Sequence, residues 1–69
     1  MKWNMTNNMP LSWELVNAPI DLNASIKQTG ESRYRWRLAF PSGSSIEDTE
    51  NFYINAMKRI ENIINKITG

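Results

Sequence analysis

The stretch Arg33-Tyr-Arg-Trp-Arg-Leu-Ala-Phe40 restricts the fold of this chain more than any other segment. Successive side chains of a strand point to opposite faces of a sheet. As a strand, the stretch therefore puts Tyr34, Trp36, Leu38 and Phe40 on one side and Arg33, Arg35 and Arg37 on the other. Ile20, Leu22, Ala24 and Ile26 alternate with polar residues in the same way, so the two segments read as a hairpin. A two-residue loop at Thr29-Gly30 would place Ile26 opposite Arg33 and mix apolar with charged residues on one face. An odd-length loop of roughly three or five residues keeps the faces pure. It pairs Ile26 with Tyr34, Ala24 with Trp36, Leu22 with Leu38 and Ile20 with Phe40, and sets Lys27 beside Arg33, Ser25 beside Arg35 and Asn23 beside Arg37.

Downstream, the periodicity changes from two to about 3.6. Apolar residues at Tyr53, Met57, Ile60, Ile64 and Ile67 follow a 4-3-4-3 spacing. Ile46, Phe52, Ala56 and Ile63 widen that stripe to roughly 140°, a width suited to lying across a sheet. The reading is a helix from about Ser45 to Thr68, opened by Pro41-Ser-Gly-Ser-Ser45. Ser44 with Glu47, or Ser45 with Asp48, would cap it, and Glu47, Asp48 and Glu50 would favour the positive end of its dipole. Lys66 suits the other end and Gly69 the stop. Upstream, Leu11, Trp13 and Leu15 alternate as a third antiparallel strand near residues 11–16, because a lone hairpin is a narrow platform for so wide a helix face. The expected architecture is α+β: a small antiparallel sheet packed on one C-terminal amphipathic helix, in the order β-β-β-α. Residues 1–10 are read as a loose N-terminal segment unless Trp3 or Met5 anchors it, and 11–69 as a single domain.

At 69 residues, a domain buries only about 60 % of the surface its unfolded chain exposes. Small domains are commonly supported by disulfides, a metal or a partner subunit. The chain has no cysteine and no histidine, which excludes disulfides and thiolate or imidazole ligands. The acidic residues form no calcium-loop pattern, so neither metal nor cofactor is expected. Self-association remains as a support, and a homodimer is expected. The same absences exclude Ser-His-Asp and Cys-His catalysis, and so short a chain has little volume for a substrate pocket. A non-catalytic binding protein is the expectation. With no apolar segment long enough for a bilayer and no secretion signal, a cytoplasmic protein without a membrane partner is expected. Richness in Asn, Ile and Lys is the composition of AT-rich coding sequence and suggests a phage or other mobile element.

Eight Lys and Arg against seven Asp and Glu give a net charge of +1, short of the excess typical of a dedicated nucleic-acid domain. Distribution therefore decides. The expected binding strip comprises Arg33, Arg35 and Arg37 with Lys27, Asn23 and Ser25, residue types that hydrogen-bond to phosphate oxygens and base edges. An ordinary solvated sheet face, with its charges balanced by Glu14 or Glu31, is the competing explanation. The expected partner is nucleic acid, DNA or RNA, or an acidic protein surface. The alternative function is an inhibitor or adaptor that binds a host protein through the same arginines or through the aromatic N-terminus, where Trp3, Trp13, Met5 and Met9 lack evident core seats, as does Ile54 on the helix.

Overall fold

The structure, a computed structural model, describes residues 2–69. Five strands precede one helix: β1 (Lys2–Asn8), β2 (Leu11–Val16), β3 (Asn23–Gly30), β4 (Arg33–Ala39), β5 (Ser45–Glu50) and α1 (Tyr53–Thr68). The strands form one antiparallel sheet in the order β1-β2-β3-β4-β5, and α1 crosses one face of it, packing on β3, β4 and β5. The fold is the α+β arrangement of an antiparallel sheet on a C-terminal helix, with two more strands than the three expected.

The core follows from the two periodicities. In β4, Tyr34, Trp36 and Leu38 are buried while Arg33, Arg35 and Arg37 are exposed, and in β3 Ala24 and Ile26 are buried between exposed Asn23, Ser25 and Lys27. From the helix, Ala56, Ile60 and Ile64 reach zero exposure against this surface. Trp13 of β2 closes the core beside them. Its ring stacks on Tyr53 at 4.7 Å between centroids, and Tyr34 packs edge-on to the same Tyr53 at 5.9 Å. Offset and edge contacts of this kind add about 0.5–1.5 kcal/mol each beyond the area buried.

The expected helix start is corrected. Pro41 to Ser44 turns a hairpin instead: the Phe40 N–H donates to the Ser44 carbonyl at 2.8 Å and the Gly43 N–H donates to the Phe40 carbonyl at 3.0 Å. Gly43 sits at φ 96°, a conformation open to glycine and strained for other residues. Ser45–Glu50 then pairs along β4, Glu47 facing Arg37 and Thr49 facing Arg35. Between Ser45 and Asn51 the only apolar residue is Ile46, so that segment has no helical stripe to bury, whereas as a strand it satisfies the free edge of β4. The helix begins at Tyr53 with Phe52 as its N-cap, without a side-chain cap and without acidic residues in its first turn. Its other end is as expected: Lys66 lies in the last turn and the Gly69 N–H donates to the Asn65 carbonyl.

Residues expected to be loose form β1. Trp3 faces Leu15 and Met5 faces Trp13, and the Trp3 indole N–H donates to Glu61 Oε2 of the helix at 2.8 Å. Both N-terminal tryptophans thus have core seats: Trp13 is 7 % exposed and Trp3 packs against the core from the side. The β3–β4 register is also corrected. Ile26 faces Trp36, Ala24 faces Leu38 and Gln28 faces Tyr34, after which Thr29 is an extra residue and Gly30 faces Arg33. The turn is Glu31-Ser32, beyond Thr29-Gly30, and the ladder is displaced by two residues. Because side chains repeat every two residues, this displacement changes each residue's neighbour and leaves its face unchanged. Ile20 and Leu22 fall in the β2–β3 loop and add no strand pairs.

Ile60→Ala removes a fully buried side chain at the sheet–helix interface and is expected to cost about 2–5 kcal/mol. Urea unfolding followed by tryptophan fluorescence measures this. An unchanged midpoint would contradict the packing described.

Candidate functional site

The sheet has a second face that the helix does not cover. The pleat assigns to it every residue whose neighbours in sequence are buried, so the partners Lys27 and Arg35 lie side by side, as do Ser25 and Arg37, and Glu14 faces Ser25 from β2. The six residues expected to form the binding strip are all exposed, and all belong to this face. Their neighbours differ from expectation with the register: Lys27 stands beside Arg35, Ser25 beside Arg37, Asn23 beside Ala39, and Arg33 across from Gly30 at the hairpin end.

Glu47 is the functional neighbour that sequence reasoning misplaced. As part of β5 it lies on the open face, where Arg35 Nη2 is 3.1 Å from its Oε2 and Arg37 Nε is 3.7 Å from its Oε1. One carboxylate thereby bridges two guanidiniums that the pleat sets about 6.6 Å apart, and it offsets the repulsion of Lys27 against Arg35. Neither Glu14 nor Glu31 takes this part. Among the described residues, Lys27 and Arg33 have no ion-pair partner. The face carries Lys2, Lys27, Arg33, Arg35 and Arg37 against Glu14 and Glu47, a positive surplus that the near-neutral whole chain conceals.

The strand also divides the acidic cluster. Asp48 and Glu50 face the helix side, where Arg59 approaches them at 3.6 and 3.5 Å and its guanidinium carbon lies 5.9 Å from the Trp36 ring centroid. Arg59 is therefore part of the sheet–helix contact. Among the described residues, no group of three acidic side chains converges as a metal site.

Two shallow depressions mark the open face. One, of about 350 Å³, is lined by Glu14, Asn23, Ser25 and Arg37 among others. The other, of about 300 Å³, is lined by Ser25, Lys27, Thr29, Arg35, Arg37 and Glu47. They share Ser25 and Arg37 and together form a trough across β3 and β4 whose lining mixes charged groups with apolar surface, Leu15, Ala24 and Ala39 among them. Its guanidinium and ammonium groups can each donate several hydrogen bonds to an anion, and the Ser and Asn side chains can donate or accept. No family model, curated protein or solved structure matches this chain. Among the described residues, no helix is long and apolar enough to cross a membrane.

Both sets of ion pairs are partly solvated, which limits each to about 1 kcal/mol or less. Replacing Arg33, Arg35 and Arg37 together by Ser is accordingly expected to move the thermal midpoint little. Arg59→Ala also loses its contact with the Trp36 face, and is expected to lower the midpoint by about 4–8 °C for each kcal/mol lost in a domain of this size. Differential scanning calorimetry of the two variants separates the arginines of the open face from the one that holds the helix.

Proposed function

We propose that this protein is a non-catalytic binding protein whose open sheet face receives an anionic partner, nucleic acid first. The observation that carries the reading is the segregation of charge. Five cations meet two carboxylates on a face of solvated Ser, Asn and Thr side chains, while the opposite face forms the core. A sheet needs polar residues on its exposed side, but it does not need like charges side by side, and Lys27 beside Arg35 is mildly destabilising in the free protein. A polyanion converts that repulsion into attraction. Arg and Lys supply the salt-dependent part of such binding and Ser and Asn the neutral hydrogen bonds to the backbone.

The second reading is a phage or mobile-element inhibitor or adaptor that docks the same arginines on an acidic protein surface. The aromatic N-terminus supports it less than the arginines do, because Trp13 is buried and Trp3 is bonded to Glu61. Both readings imply binding that weakens with salt, and they differ in whether oligonucleotides bind and with what slope. Binding to nucleic acid weakens linearly on a log-log salt plot, with a slope of about 0.9 for each phosphate neutralised. Fluorescence anisotropy with labelled oligonucleotides is expected to give that behaviour, and the triple arginine-to-serine variant is expected to lower the slope by about one unit per residue. Glu47→Gln frees Arg35 and Arg37 from a competing carboxylate and is expected to tighten binding by about threefold, the effect of one unit charge several ångströms away in water. If no oligonucleotide binds at low salt, or if the triple variant binds as well as the parent, the nucleic-acid reading is refuted.

A further inference from the structure

Resting on the nucleic-acid reading above, we propose that the open face binds duplex DNA through its two phosphate backbones, without stacking on bases and with little preference for sequence. Proteins that hold single strands through a sheet rely on exposed aromatic side chains as platforms for the bases. Among the described residues, this face has none. Trp13, Tyr34 and Trp36 are buried beneath the helix, Trp3 bonds Glu61 on that same side, and Phe40, Phe52 and Tyr53 lie in the β4–β5 turn and at the helix start. What remains for contact is a set of cations and hydroxyl and amide groups, which suits phosphate oxygens.

Charge density then favours the duplex. A cation on duplex DNA contributes a salt exponent of about 0.9, against about 0.7 on a single strand. Four contacts, from Lys27, Arg33, Arg35 and Arg37, would separate the two by about tenfold at about 50 mM salt. Dimensions set the mode. Five strands about 4.8 Å apart make a face about 19 Å across, wider than the major groove at about 12 Å, so the sheet rests over the groove rather than entering it. Along β4, Arg33 and Arg37 are about 13 Å apart, which lets the two ends of the arginine row reach the backbones flanking a B-form groove. An RNA duplex offers a deep, narrow major groove and a wide minor groove instead, a poorer fit to that span. With base edges out of reach of most of the face, sequence is read weakly.

The test is anisotropy of the intact protein with a labelled DNA duplex, one of its single strands, an RNA duplex of the same sequence and an unrelated DNA duplex, with tryptophan emission recorded alongside. The expected result is binding to both DNA duplexes within about threefold of each other and about tenfold tighter than to the single strand, with tryptophan emission unchanged. A single strand or RNA duplex bound as tightly as DNA, or tryptophan quenched on binding, overturns this proposal and leaves the nucleic-acid reading standing. Absence of binding to all four overturns both. Arg35→Ser with Arg37→Ser should weaken duplex binding and reduce its salt slope by about two units; an unchanged slope also overturns the proposal.

Discussion

The contact of Ile60 and Ile64 with the apolar face of β4, centred on Trp36 and Leu38, determines which side of the sheet is inside. All four side chains are buried at 1 % exposure or less. Once this contact forms, the pleat leaves no choice for the residues between them, and Arg33, Arg35 and Arg37 must face water. The energetic weight lies with the apolar set, since burying side chains of this size contributes about 1.5–3 kcal/mol each. The solvated ion pairs of the other face contribute about 1 kcal/mol or less. Arg59 reinforces the same contact from above, reaching across the Trp36 ring to Asp48 and Glu50.

This division of labour explains how a chain of almost zero net charge can present a basic surface. Acidic residues are drawn to the helix side or the periphery: Asp48 and Glu50 pair with Arg59, and Glu61 accepts the Trp3 indole N–H. Glu14 and Glu47 remain on the open face, and Glu47 lies among the arginines. Its position keeps two guanidiniums ordered in the free protein and weakens their attraction for an anion. The edge strand β5 gains from the same residues, because a row of carboxylates on an open edge discourages pairing with other chains.

Much of this was legible in the sequence, for identifiable reasons. Period-two alternation in Ala24 to Ile26 and Tyr34 to Leu38 reports burial directly, and the core and open face follow from it; the 4-3-4-3 stripe does so only at its centre, where Ile60 and Ile64 are buried, while its ends Tyr53 and Ile67 stay exposed. Side-chain parity survived a wrong register because the hairpin slipped by two residues, not one. What failed were signals with two valid meanings. Ser44 followed by Glu47 fits a helix cap, and Pro-Ser-Gly fits a hairpin turn equally well. Long-range pairing with β4, which local propensity does not encode, decided between them. β1 was illegible for the same reason: Lys2–Asn8 is polar and lacks clear alternation, and what fixes it is the distant pairing of Trp3 with Leu15 and Glu61. Glu47 could have been found from its opposite charge to Arg35 and Arg37 once a strand was assigned there.

The central claim is that one face of the sheet is committed to stability and the other is free for an anion. Its most direct test is NMR of the arginine Nε–H and tryptophan indole N–H signals during titration with a short DNA duplex. The fold described here predicts shifts at Arg33, Arg35 and Arg37 together, with the indoles of Trp13 and Trp36 unmoved. Shifts confined to Arg59 and the helix surface, with the three arginines of β4 silent, would contradict it.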